Sequence, residues 1–359
     1  MAYTNIDDPS AFFQVALYNG TAGDNNAITN DGNSDLQPDW VFMKHRTAGN
    51  QDWYAVDSSR GSTKGLATNT NAGETTSSSA TKDFQSFNTD GFTVGTPEDT
   101  NACNSIGTHA AWQWKCNGGS TASNSDGTIT STVQVNQDAG FSIVTYTGNA
   151  TNNATVGHGL GIAPSVIIIK DLTDGSVWGV WHKDLTDAGY RLTLSSDAAV
   201  SNDSGFMGGS SRTLPTSSVF SLGGGGGGNG ANAYVAYCFA EKQGYSKFGS
   251  YVGNAVVNGP FAYTGFKPAC IITKTVNAVE GWGIYDYKRI GFNVYNDVLG
   301  LDTQGATYGG SNYNFMDIVS NGFKMRRATY GPNQSANYIY LAWAENPFTT
   351  STGVPTTAR

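Results

Sequence analysis

Three stretches of this chain can be laid over one another, and this internal repeat constrains the fold more than any other feature. Each stretch opens on an aromatic strand, at residues 13–20, 141–149 and 248–254, and two of the three end Tyr-x-Gly-Asn. A proline follows, with a lysine six residues later: Pro38 and Lys44, Pro164 and Lys170, Pro268 and Lys274. Proline starts a strand where its missing N–H costs least. The apolar run between the two residues predicts a buried strand, with the lysine marking its wet end. Trp53, Trp178 and Trp282 come eight or nine residues after those lysines, in alternating segments that read as the return arm of a hairpin. Asp57 and Arg60 close the first copy, and Asp286 and Arg289 close the third at the same spacing. The second copy departs, with His182 in place of the aspartate and Asp184 nearby. Each copy then has a short aromatic strand, around Phe92, Phe220 or Phe323. Each ends on an aromatic–alanine strand, through Trp112 and Trp114, Tyr237 and Phe239, or Tyr340 and Trp343.

The lysines recur at intervals of 126 and 104 residues. A period of that size is a domain rather than a solenoid repeat. Short strands divided by Asn-Gly and Asp-Gly turns, with no helical period of useful length, indicate a sandwich or barrel. The expectation is an all-β chain of three tandem antiparallel β-sandwich units, jelly-roll-like, each with a core of aromatics and Ile/Val from its own two sheets. The units are placed at 1–115, 140–241 and 242–348, with a frayed tail at 349–359. The polar stretch 116–139 is a linker or an added strand, since Thr128 to Val133 has strand propensity. Composition agrees: 46 glycines, 12% aromatic and only 13% charged residues fit neither a disordered chain nor a helical bundle.

The formal net charge of −8, with no basic patch larger than that around Lys324 to Arg327, excludes a protein that tracks a nucleic-acid backbone. The polar, acidic start lacks a secretory signal pattern, and no apolar run is long enough to span a membrane. Cys103, Cys116, Cys238 and Cys270 are too widely spaced for a zinc site. Cys238 and Cys270 sit in apolar runs and read as buried thiols. A bridge between Cys103 and Cys116 is left open by their spacing. His45, His109, His158 and His182 have no ligand spacing, and neither a Gly-x-Ser-x-Gly elbow nor a Walker loop is present. No metal, cofactor or catalytic residue is therefore expected.

Several phrases carry a resemblance: residues 140–149, 157–161, 233–240 and 244–251, with Trp282 to Arg289 and Tyr340 to Phe348. Through them the chain resembles a repeat-domain family of structural proteins in marine tailed bacteriophages, the cyanophages and their relatives. The resemblance implies a virion-surface component, a tail fibre, appendage or capsid-associated protein, made in the host cytoplasm and released by lysis. It implies other virion proteins as partners and a homo-oligomer, by default a trimer. It brings no catalytic motif.

Within that frame the repeated Trp53, Trp178 and Trp282 read as core, and the Asp57–Arg60 and Asp286–Arg289 pairs as turn-closing contacts rather than the paired carboxylates of a glycan depolymerase. The run from Gly223 to Gly228 is a flexible hairpin tip, or a loop passing so close to a neighbouring subunit or ligand that any side chain would clash. Tyr308 and Tyr313, in the Gly/Asn-rich loop 303–314, do not recur and are the candidates for stacking on a host-surface glycan. The alternative function is thus a carbohydrate-binding recognition module.

Overall fold

A computed structural model describes residues 3–98, 103–310, 313–329 and 331–357. The repeated strands pair in one common register. In the first unit Trp40–His45 lies between Tyr54–Asp57 and Gly107–Trp114, so Trp40 faces both Asp57 and Trp114. In the second, Val166 faces His182 and Phe239; in the third, Cys270 faces Asp286 and Trp343. Among the described residues each unit pairs a large antiparallel sheet, of six, eight and six strands in turn, with a small one of three, two and three. The chain is all-β, in three paired-sheet units. Residues 116–139 supply Ala122–Asn124 and Ser131–Asn136, which extend the second unit's large sheet. Residues 349–357 fold back as a turn: Thr350 N–H bonds to Val354 O, and Ser351 N–H bonds to Asp7 Oδ1.

One face of each large sheet packs on its own small sheet. In the first unit Val41, Met43 and Val56 meet Phe84 and Phe92, and in the third Ile271 and Tyr285 meet Ile318 and Phe323. The sandwich cores accordingly take residues from both sheets. The opposite faces of the three large sheets are buried as well, against each other, in one core running through all three units. This explains why Trp40–His45, Val166–Asp171 and Phe266–Thr275 are buried at every position. A strand covered on both faces needs apolar residues at both parities.

The shared core closes around three equivalent side chains, Trp114, Phe239 and Trp343. Their ring centroids lie 6.3, 5.4 and 5.1 Å apart and their planes meet at 63–72°, so each presents an edge to the next. The units are therefore arranged about a pseudo-threefold axis inside a single chain.

Three kinds of hydrogen bond repeat around that axis, one of each kind per seam. Trp178 Nε1 donates to Ala67 O at 3.1 Å, Trp282 Nε1 to Thr193 O at 2.8 Å, and Trp53 Nε1 to Gly300 O at 2.8 Å. Lys170 Nζ donates to Asn71 O, Lys274 Nζ to Asp197 O and Lys44 Nζ to Gln304 O, at 3.0–3.1 Å. The backbone N–H groups of Glu74, Val200 and Thr307 donate to Leu172, Val276 and Arg46 carbonyls at 2.8–2.9 Å. The second unit thus bonds to the first, the third to the second and the first to the third. The ring is closed.

The lysines correct one sequence expectation. They do not mark a wet strand end, because Lys44, Lys170 and Lys274 are at most 1% exposed. Each ammonium also donates to a carbonyl of its own unit, on Gln51, Ser176 and Thr275 respectively. Burial pushes all three down to about 8.

A second threefold lock escaped the sequence reading. Asn104, Asn229 and Asn333 are fully buried just before each last strand. Each side-chain oxygen accepts from the backbone N–H of Thr21, Asn149 or Asn254, and each amide donates to two carbonyls. The preceding glycines, Gly20, Gly148 and Gly253, fit because a Cβ there would lie 1.9–2.0 Å from the Ser105, Gly230 or Gln334 carbonyl oxygen. The following alanines, Ala22, Ala150 and Ala255, take φ of 54–56° and bond back to the same asparagine carbonyls.

Two outcomes follow from this packing. Because the core is shared, guanidinium unfolding is expected as one transition. Trp343→Ala should lower stability by about 3–5 kcal/mol without splitting that transition; separate transitions would mean independent units. The second outcome concerns pH. Burial lowers His109 and His182 to about 4 and the three lysines to about 8. Between each lowered value and the ordinary one, the unfolded chain binds more protons than the folded chain, so stability rises with pH. The melting temperature should therefore climb from about pH 4 to 6.5 and again from about pH 8 to 10. Lys170→Met should flatten the upper rise, and an unchanged upper slope would contradict it.

Candidate functional site

The seams absorb most of the residues that recur. Trp53, Trp178 and Trp282 are buried and hold the unit-to-unit bonds. Asp57 is fully buried, accepts from Arg60 N and Nε at 2.9 and 2.6 Å, and also accepts from Tyr237 Oη of the second unit at 2.7 Å. Arg60 continues to Glu74 Oε2 at 2.9 Å. Asp286 accepts from Arg289 N and Nε, and the Arg289 guanidinium lies 5.7 Å over the Trp112 ring of the first unit. Each pair caps its turn and reaches across a seam. Trp112 and Tyr237 share one repeat position, where the third unit has Leu341. An aliphatic side chain offers neither hydroxyl nor ring face to an Asp–Arg pair. The second unit, which faces it, carries His182, whose Nδ1 accepts from Asp184 N at 3.1 Å and caps the turn uncharged.

The glycine run is packed against the chain itself. A Cβ on Gly223 would lie 2.3 Å from the Ser204 and Gly205 backbone, and one on Gly228 would lie 2.8 Å from Phe206 O. Gly226–Asn229 forms one helical turn that delivers Asn229 to its lock. The close approach at Gly223 and Gly228 is thus to the segment 204–206 of the same unit, rather than the expected one to a neighbouring subunit or ligand.

Where the units differ, a cavity opens. Register makes Tyr54, Gly179 and Gly283 equivalent. In the first unit the Tyr54 ring fills this place, lying over Gly65. In the second, Phe206 lies on Gly179, where a Cβ would come within 2.3 Å of the ring. The matching residue of the third unit, Phe315, turns instead toward Tyr285 and Tyr313, at centroid distances of 5.6 and 6.2 Å. The Tyr285 ring covers part of Gly283, where a Cβ would come within 2.9 Å of its hydroxyl, and a cavity of about 450 Å³ is left beside it, walled by Trp282, Tyr285, Tyr308, Phe315 and Tyr338. Its polar side chains include Lys274, Glu280, Asp302 and Thr303. Asp302 Oδ1 accepts from Trp282 N at 3.0 Å, and burial raises its carboxyl pKa. Glu280 accepts from Gln334 Nε2 and from Gly331 N.

The cavity includes one of the two tyrosines singled out in sequence. Tyr308 is 55% exposed at the rim, with its ring 4.6 Å from that of Tyr313 and inclined at 62°. Tyr313 lies behind it, with the Arg327 guanidinium 4.5 Å over its ring. Loop 303–314 is described except at 311 and 312. The loop is fixed at one end by the seam, where Gln304 and Thr307 bond to the first unit. Tyr308 stands where the other copies have Thr75 and Ser201. Aromatic walls with a few convergent polar groups at the base suit a small polyhydroxylated ligand, stacked through its flat face and hydrogen-bonded at its edge. A larger hollow of about 630 Å³ is lined by Tyr3, Ile6, Phe12, Asp138, Lys242 and Gln243, among others.

All four histidines lie outside the aromatic cavity. His45 and His109 stack edge to face at 4.5 Å, and the Nε2 of each contacts a backbone carbonyl. The four cysteines are free and buried, so Cys103 and Cys116 form no bridge. Among the described residues no group of three or more His, Cys, Asp or Glu is placed to hold a metal, and no helix is long and apolar enough to cross a membrane.

The family DUF7483, described as a domain of unknown function, matches residues 8–347, across all three units. Comparison with curated proteins and with solved structures gives no match.

Proposed function

The chain belongs to the DUF7483 family, and from its geometry we propose that it is a non-enzymatic structural protein of a bacteriophage virion surface, a tail fibre, appendage or capsid decoration. One observation carries this reading. The recurring charged residues, including both Asp–Arg pairs and all three lysines, are spent on holding unit to unit. A body built this way is rigid and presents a surface. The resemblance of residues 140–149, 233–240 and 244–251 to cyanophage structural proteins supports the virion placement. Other virion proteins are the proposed partners, together with copies of the same chain. The pseudo-threefold body is the assembling unit, and a trimer of it would run at three times the 37.8 kDa chain mass. The virion reading is tested by probing purified particles with an antibody to this chain. Labelling at a fixed number of copies per particle is expected, and a chain found only in host lysate and never on particles would end the idea.

The aromatic cavity of the third unit favours a second reading, carbohydrate recognition during host attachment. Tyr308 at its rim would stack on a sugar ring, while Asp302 and Thr303 take hydroxyls. On a glycan array, binding should fall about tenfold in Tyr308→Ala, the loss of roughly 1.4 kcal/mol of stacking. The melting temperature should not change. Equal binding by the variant would remove the cavity from consideration. Asp57 and Asp286 are buried in their ion pairs, so a depolymerase using them would have no access to substrate.

A further inference from the structure

One of the two edge strands of each unit's small sheet is Asn26–Ile28, Ala154–Gly157 or Phe261–Tyr263. Pairing with the adjacent strand makes Ile28, Val156 and Ala262 equivalent, since they face Phe92, Phe220 and Phe323. Their neighbours Ala27, Thr155 and Phe261 therefore also correspond. The three copies treat this edge differently.

In the second unit the edge is covered by the chain's own stretch that has no counterpart in the other copies. Ile129 N–H donates to Thr155 O at 2.9 Å, and Thr155 N–H donates to Thr128 Oγ1 at 2.9 Å. Ser131 Oγ donates to Gly157 O at 2.8 Å. Ile129 runs parallel to Val156 and is itself buried. This is an added strand, supplied internally.

In the third unit the corresponding edge is bare among the described residues. Met325 N–H donates to Pro260 O and Thr264 N–H to Asn321 O, so the ladder takes alternate residues. The N–H and C=O of Phe261 and the N–H of Tyr263 consequently face outward. The Tyr263 carbonyl is met by Tyr340 Oη at 3.3 Å. Phe261 and Tyr263 are 46% and 54% exposed, and Val256 and Val257 beside them are 49% and 63% exposed. Natural edge strands are usually charged, shortened or covered. This one is uncharged and aromatic, whereas the first unit's edge carries only Asn26 and Ala27 outward of Ile28.

We infer that the Phe261–Tyr263 edge is a docking site for an extended peptide segment of a partner protein, added as a parallel strand in the way residues 127–131 add to the second unit. The segment carries a Thr or Ser whose hydroxyl accepts the Phe261 N–H. The next residue is β-branched and apolar; its N–H meets the Phe261 carbonyl and its C=O accepts the Tyr263 N–H. Main-chain bonds supply affinity and the two flanking side chains supply selection. The site is independent of the virion placement and of the aromatic cavity.

The probe is a peptide of the chain's own covering sequence, residues 124–131, titrated into isotope-labelled full-length protein and followed by amide NMR shifts. Saturable shifts confined to residues 259–264 and 322–325 are expected. Tyr263→Pro removes an outward N–H that the ladder does not use, and should weaken binding about tenfold, the worth of one hydrogen bond. If that variant does not fold, a peptide N-methylated at the isoleucine removes the neighbouring bond, from the isoleucine N–H to the Phe261 carbonyl, with a similar expected loss. No saturable shift in the wild type, equal shifts at residues 26–28, or full binding by the N-methylated peptide would overturn the proposal. Concentration-dependent broadening of residues 259–264 without peptide would also overturn it, in favour of a second copy of this chain.

Discussion

The contact among Trp114, Phe239 and Trp343 is the constraint on which the rest depends. Three aromatic edges can meet on one axis only if three large sheets turn their second faces inward. Those faces must then be apolar, which produces strands buried at every position. Strands buried on both faces bring their flanking polar residues inside, and these need partners. The tryptophan indoles, the lysine ammonium groups and the facing loop carbonyls satisfy one another across each seam. Aromatic closure and polar closure are two aspects of one geometry.

Repetition makes the scaffold, and departures from repetition make the candidate sites. The Asp–Arg pair survives where the neighbouring unit offers a tyrosine hydroxyl or a tryptophan face, and gives way to a neutral histidine where it offers Leu341. The place filled by Tyr54 in one copy and Phe206 in another is only partly covered in the third, where Phe315 turns away and the Tyr285 ring leans over Gly283, leaving the aromatic cavity. The sheet edge sealed by residues 127–131 in the second copy stays open in the third. Cavity and edge thus both belong to the third unit, the cavity beside the seam residues Lys274, Trp282 and Gly300.

Much of the fold was legible because it is local. Prolines opening apolar runs, Asn-Gly turns and the alternation around each tryptophan specify strands and hairpins within a few residues. The candidate site was half legible. Tyr308 and Tyr313 stood out because they do not recur, yet only the turning away of Phe315 put Tyr308 at the rim of a cavity, with Tyr313 behind it. The lysines were misread as solvated because a lysine at a strand end usually is; here a loop from another unit covers each one. The asparagine lock left a trace in the recurrence of Asn104, Asn229 and Asn333 three or four residues before each last strand. Their role shows only when the bonds from residues some eighty positions earlier are seen.

The sequence by itself determined that this protein is built of three copies of one β unit, with the strands, turns and aromatic positions of each, since those follow from short-range periodicity and turn chemistry. Tertiary structure alone decided that the copies are not independent sandwiches but sectors of one body. It also decided which strand edge, and which cavity, the closed body leaves open. The physical reason is that burial of a second sheet face depends on residues about a hundred positions apart in the chain. Their meeting is a property of the closed arrangement, and no local pattern encodes it.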